Sequence, residues 1–213
     1  MSQSFTFLVF GATGGTGKHF TALALKKGHK VRALARTPSK MGITDPNLQV
    51  QQGSITDPVD LDTLVKGVDF VVLMLGDKEA QQHAKINTAF VQKLVPAMRR
   101  HGVKRFLYQA GGLSKPYNAS LPLIFRIMRK GVSTYEGQHQ DNEAVMKYLA
   151  EEAQDIEWIV HRAGIGGDGP SKGVLKRSET RISVGTFRDC AAYNFDALMD
   201  PTAIHTSDVS RYL

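Results

Sequence analysis

Residues 5–20, Phe-Thr-Phe-Leu-Val-Phe-Gly-Ala-Thr-Gly-Gly-Thr-Gly-Lys-His-Phe, constrain the fold of this 213-residue chain more than any other stretch. Residues 5–10 are a short apolar run closed by a glycine, the composition of a strand buried on both faces. Gly11, Gly14 and Gly17 follow at three-residue spacing, with Gly15 among them. Helix-forming residues then run to Lys27, where Gly28 is placed to stop them. Strand, glycine turn and helix opening, in that order, make a phosphate-binding device. The glycines let backbone come close to a pyrophosphate, and the free N–H groups of the helix N-terminus point at its charge. Thr13 and Thr16 add hydroxyl donors to the same turn. A P-loop does not fit, because Ala12 stands where its first glycine belongs and His19 replaces the metal-binding hydroxyl. G-x-G-x-x-G does not fit either, since Phe20 occupies its last position. G-x-x-G-x-x-G remains, and a dinucleotide is its expected ligand.

The rest of the chain repeats the alternation of strand and helix. Apolar runs at residues 30–35, 48–52, 69–75, 106–110 and 155–161 read as strands. Between them lie a short helix from the Asp57-Pro58 cap to about Lys66, a long helical stretch up to His101 with Pro96 in its last turns, and a helix over residues 135–152 with Val145, Tyr148 and Leu149 inward. A short strand near Ile182 and a helix from about Arg188 to Met199 complete the pattern. The predicted architecture is α/β: a Rossmann-like, doubly wound parallel sheet with helices on both faces, one NAD(P)-binding domain over residues 1–213. Residues 113–134 and 166–186 interrupt the rhythm. They are expected to be substrate-side loops, because loops at strand C-terminal ends line ligand crevices; extra core packing is the other reading of the first.

The second strand runs into Arg36, about 20 residues past the glycines, where such folds place the acid that holds the adenosine ribose. A carboxylate there repels a 2′-phosphate and a guanidinium binds it in a bidentate way, so the expected cofactor is NADP(H), with Lys40 a second candidate for the phosphate. A net charge of +7 suits an anionic cofactor. No basic run is interleaved with aromatics and no nucleic-acid motif is present, so nucleic acid is not an expected partner. Cys190 is the single cysteine, the N-terminal apolar run is too short to span a bilayer, and no cationic segment precedes it. A cytoplasmic protein without a membrane span and without a metal site is expected.

Gly-Ala-Thr-Gly-Gly-Thr-Gly, the helix around Asn87, Val103-Lys104-Arg105-Phe106, Tyr135-x-x-x-His139-x-x-x-Glu143 and the stretch from Ile156 to Arg162 together resemble the atypical short-chain dehydrogenase/reductases. Their compact NAD(P)H-binding group, which includes biliverdin IXβ/flavin reductases and NmrA-like proteins, is the closest likeness. It implies a cofactor lying across the strand C-terminal ends, with Ser54 and Ile55 near the adenine. Leu75 and Gly76 would border the adenosine side, Ala163, Gly164 and Ile165 the nicotinamide side, and Ala110 is a further cofactor-binding candidate. The family's catalytic set is a Ser or Thr after the fifth strand and Tyr-x-x-x-Lys. Here the fifth strand ends Gln-Ala-Gly-Gly, with no hydroxyl before Ser114, and His139 stands in the lysine position.

Tyr135 and His139 are the catalytic candidates, about 40° apart if they share one helix. A neutral imidazole does not supply the ammonium that activates the tyrosine, so packing or cofactor contact is an equal reading of the pair. An acceptor that needs no protein acid suits this set. The first expectation is an NADPH-dependent reductase of a small, flat, conjugated acceptor such as a quinone or flavin. The second is a non-enzymatic NADP(H)-sensing regulator with a protein partner. Epimerase chemistry on a nucleotide sugar finds little room in the short C-terminal region.

Overall fold

The computed structural model describes residues 3–213 and is built on a nine-stranded sheet. Its first strand, β1 (Thr6–Phe10), shows why the apolar run has no polar face. Phe7 and Val9 enter one hydrophobic cluster, Leu8 and Phe10 the other, and all four are fully buried. The side of Phe7 is covered by α1 (Gly15–Lys26) and α7 (Phe187–Met199). The side of Leu8 is covered by α2 (Leu61–Val65), α4 (Ile86–Arg100) and α6 (Glu136–Glu152). Each large apolar side chain sealed between these layers contributes about 1.5–3 kcal/mol.

The other strands are β2 (Lys30–Ala35), β3 (Leu48–Gln52), β4 (Phe70–Leu73), β5 (Arg105–Gly111), β6 (Glu157–Gly167), β7 (Leu175–Ser178), β8 (Val184–Thr186) and β9 (Ser207–Tyr212). Their order is β3-β2-β1-β4-β5-β6-β9-β7, with β8 also beside β6, and every pairing is parallel except β7 with β9. The order reverses between β1 and β4. That is the topological switch point, and the crevice beyond the C-terminal ends of these two strands is where such sheets take ligands.

The sheet and its two helical layers are those expected from the sequence, with local differences. The long helical stretch before His101 is two helices, α3 (Lys78–His83) and α4, separated at Ala84 in extended backbone. The break has a cause outside the segment. Buried Asp141 on α6 accepts from the Asn87 and Thr88 backbone N–H groups, both at 3.0 Å, and from the Thr88 hydroxyl at 2.7 Å. It caps α4 from another element and satisfies N–H groups that a continuous helix would bond internally. Pro96 leaves α4 running on to Arg100. The cap of α2 is Asp60, which accepts from Thr63 N at 3.0 Å, rather than Asp57.

Residues 113–134 contain α5 (Leu123–Gly131), and residues 166–186 contain the end of β6 and all of β7 and β8. Tyr135 closes a 3₁₀ turn (Ser133–Tyr135) before α6 begins, so it does not lie on the helix that carries His139.

Candidate active site

The three spaced glycines do three different jobs. Gly11 has φ +84°, and a side chain on it would meet the Met74 carbonyl oxygen at 2.3 Å. A β-carbon on Gly17 would stand 2.0 Å from the Gly11 carbonyl, so this glycine sets the close approach of α1 to the turn. Gly14 is the open one: its nearest obstacle is 3.2 Å away, and it lines the crevice. The first turn of α1 has no acidic residue and no side-chain cap, which leaves its N–H groups and the positive end of its dipole available to an anion. Gly15 is packed under the Phe187 ring, and Thr16 is buried, receiving Gln109 Nε2 at 3.3 Å. Gly15, Thr16 and Gly17 therefore shape the turn from behind, while Gly11, Thr13 and Gly14 face the crevice.

The crevice has two ends that meet at Met74, Leu75 and Gly76. The first end is lined by Gly11, Thr13, Gly14, Arg36, Ser54 and Ile55 together with Leu34, Thr56 and Asp77. Arg36 is exposed and pairs with Asp77 at 3.2 Å, a bridge weak enough in water to open for another anion. Lys40 is not among the lining residues. The second end, about 450 Å³, is lined by Ala110, Ala163, Gly164, Ile165, Tyr135 and His139, together with the apolar Leu113, Met128, Val132, Ile182 and Val184. Apart from Lys40, the residues singled out for a ligand lie on this groove or, for Gly15, Thr16 and Gly17, behind it. The uncapped α1 terminus and the gap over Gly14 fit a pyrophosphate, and Arg36 places a cation at the far end.

Tyr135 and His139 share the second end without a hydrogen bond between them among the described residues. Tyr135 is 42% exposed, and the Lys78 ammonium lies 4.8 Å from its ring centroid. His139 is buried, and its Nδ1 is 3.0 Å from the Ser114 hydroxyl. Ser114, beyond the end of β5 and fully buried, is the hydroxyl that the sequence pattern placed too late to count. Hydrogen counting sets the direction of its network. Asn87 Nδ2 donates to Leu75 O and to the Tyr108 hydroxyl, both at 3.0 Å, and Tyr108 donates to Asn142 Oδ1. Asn142 Nδ2 donates to Ser114 Oγ at 3.0 Å. The Ser114 proton then goes to His139 Nδ1, and the neutral ring keeps its hydrogen on Nε2, which has no partner among the described residues. Burial, then the charge of Arg129, lowers the His139 pKa, so the ring is neutral at pH 7.

A second buried chain stands behind the crevice. Ser210 Oγ and Asn194 Oδ1 hold the two nitrogens of His161 at 2.8 and 2.6 Å. Asn194 Nδ2 donates to Gln109 Oε1 at 2.7 Å, and Gln109 reaches Thr16. Asn142, Gln109, Asn194 and His161 have no recognisable spacing in the sequence, because they come from four different elements.

A parallel sheet with a ligand crevice at its switch point and a glycine-framed helix terminus defines a dinucleotide-binding protein of Rossmann type. A family model described as NAD(P)H-binding matches residues 11–201, and the chain belongs to that family, as its resemblance to atypical short-chain dehydrogenase/reductases implies. It is 34% identical over 112 residues to 3β-hydroxysteroid dehydrogenase/Δ5→4-isomerase of Mycobacterium tuberculosis, covering 47% of this chain and 30% of that protein. It is 30% identical over 122 residues to an isoflavone reductase homologue of Zea mays, covering 53% of this chain and 37% of that protein. The chain thus spans about a third of the length of these curated relatives. A short-chain dehydrogenase/reductase of Veillonella parvula, solved in complex with NADP, shares the fold at TM-score 0.73 and 18% identity, over 98% of this chain and 94% of that one.

Proposed function

We propose that the protein is an NADPH-dependent reductase of a small, flat, conjugated acceptor, of the quinone or flavin class. The observation that carries this reading is the second end of the crevice: a largely apolar slot with a neutral histidine at the position of the family's lysine. In this reading Gly14 and the α1 N-terminus hold the pyrophosphate, Arg36 leaves Asp77 for the 2′-phosphate, and Ser54 and Ile55 border the adenine. Leu75 and Gly76 flank the middle of the groove, and Ala110, Ala163, Gly164 and Ile165 border the nicotinamide. Bound there, NADPH supplies a hydride.

The contribution of the chain is alignment and exclusion of water. Met128, Val132, Ile182 and Val184 hold the acceptor ring flat against the groove, and proximity supplies most of the rate. His139, fixed by Ser114, offers its Nε2–H to a ribose hydroxyl as a neutral donor, one of the two jobs of the family's lysine. For the other job, lowering a phenol's pKa with a fixed positive charge, the described residues offer Tyr135 only the Lys78 ammonium over its ring, with no cation hydrogen-bonded to its hydroxyl. A reduced quinone or flavin spreads its charge over the ring and takes its proton from water, so that job is dispensable. Dehydrogenase and reductase relatives support an oxidoreductase over a sensor that only binds the cofactor. Steady-state NADPH consumption against a panel of quinones, flavins and simple ketones tests the proposal. Turnover of the conjugated acceptors and none of the ketones is expected; tight NADPH binding without turnover of any acceptor would transfer the case to the sensor.

A further inference from the structure

Helix α5 is mounted with its polar side inward. At about 100° per residue, Leu123, Ile127, Ile124 and Met128 form one arc, Arg129 lies on the opposite side, and Arg126 and Lys130 lie between them, Lys130 next to Leu123. Arg129 is the basic residue that meets the protein: it donates to Glu136 at 2.9 and 2.7 Å and also to Glu143. The apolar arc faces out, 49–69% exposed. A surface helix of a globular protein turns its apolar stripe to the core, and α5 has no buried residue at all. Of the ten large apolar side chains exposed among the described residues, five lie between residues 123 and 132. Three more, Tyr135, Ile165 and Val184, line the acceptor end of the crevice. The exposed apolar surface of the molecule is therefore gathered at one mouth.

Charge decides what covers it. A hollow of about 640 Å³ beside α5 is lined by Lys115, Arg126 and Lys130, none of which has an ion-pair partner among the described residues. The one acid in that lining, Glu136, is already engaged by Arg129. A second copy docking across a twofold axis would bring these cations against their own images, whereas an anionic bilayer meets them with phosphates.

We propose that α5 is a membrane-docking helix. Its apolar arc enters the surface of an anionic bilayer, Lys115, Arg126 and Lys130 meet the lipid phosphates, and the acceptor end of the crevice opens onto the lipid. No helix among the described residues is long and apolar enough to cross a membrane, so the contact is interfacial. Resting on the reductase reading, this identifies the acceptor as a lipid-dissolved conjugated ring rather than a water-soluble one.

Co-sedimentation with vesicles of phosphatidylcholine alone, and of phosphatidylcholine mixed with phosphatidylglycerol, tests the docking without any turnover. The protein should bind the mixed vesicles, lose that binding at high salt, and leave pure phosphatidylcholine in solution. Ile124→Asp/Ile127→Asp and Arg126→Glu/Lys130→Glu should each weaken binding by about tenfold or more, as expected when half of a two-part surface signal is removed. All four positions are exposed and outside the crevice lining, so NADPH affinity should not change and serves as the folding control. Absence of binding to the anionic vesicles, or equal binding by the variants, would overturn the proposal. A dimer in solution that Ile124→Asp/Ile127→Asp converts to monomer would also overturn it, in favour of a second copy. Vesicle binding by a protein that turns over no acceptor would support the docking and remove the reductase reading.

Discussion

At the scale of single residues, Tyr135 and His139 decide which chemistry the site supports. Phenylalanine at 135 keeps the ring against Lys78 and removes only the hydroxyl, so Tyr135→Phe isolates the proton-donor role. A general acid is worth 10²–10⁴-fold in rate. The arrangement predicts a loss in kcat of less than about tenfold toward a quinone, with NADPH affinity unchanged; a hundredfold loss would show that the phenol is the acid. The family's lysine at position 139 would stand buried near Arg129, which makes a neutral ring the better tenant. Arg36 is the other decisive residue. Arg36→Ala should weaken NADPH by about 1.5–3 kcal/mol, roughly 10–150-fold in Kd, as for a charged hydrogen bond, and leave NADH unaffected. Because Arg36 is 71% exposed, the lower figure is expected at ordinary salt. Equal affinity of the unmutated protein for the two cofactors would refute the assignment.

At the scale of elements, the β1–turn–α1 unit lends itself to a clean substitution. Gly11 needs a positive φ and Gly17 has no room for a side chain, so variants there damage the fold itself. Gly14→Asp has space for its β-carbon after a small shift and places a carboxylate where the pyrophosphate belongs. A folded Gly14→Asp protein should show no measurable NADPH binding by calorimetry, and retained affinity would remove the site from this turn. This unit was legible in the sequence because strand, turn and helix are contiguous and each carries its own local signal. The break between α3 and α4 was not, since the group that makes it, Asp141, is far along the chain. Strand β9 was also missed: Ser-Asp-Val-Ser-Arg-Tyr has little apolar content, and it holds its place by pairing with β6 and β7. The crevice residues were read where motifs carry them. Ser114, Asn142 and Gln109 were not, because a buried network is a property of tertiary contact and leaves no spacing to find.

At the scale of the whole molecule, buried histidines link stability to pH. Burial pushes His161 down to about 4, and burial also lowers His139 and His29. Each prefers to be neutral in the folded state, so the unfolded chain binds more protons as pH falls below 6.5. Stability is then full above pH 6.5 and declines toward the folded pKa, on the order of 3 kcal/mol for His161 alone by pH 4. Asp208, whose carboxyl burial raises, offsets part of this. Against a typical total of about 5–15 kcal/mol this is a large fraction, and the urea midpoint should fall steadily from about pH 6.5 to 5, where ordinary carboxylates remain ionised. A midpoint flat over that window would mean that His161 titrates normally and that the chain from Ser210 to Thr16 is not closed.

In the proposed reductase the crevice brings a nicotinamide against a flat acceptor, and the transfer needs no protein acid. Single-turnover mixing of the NADPH complex with a quinone measures it most directly, read as loss of nicotinamide absorbance in the native protein and in Tyr135→Phe. Fast oxidation in both, within about tenfold of each other, with little reduction of a simple ketone, is the predicted result. No oxidation by the native complex, or oxidation of the ketone that Tyr135→Phe abolishes, would contradict it.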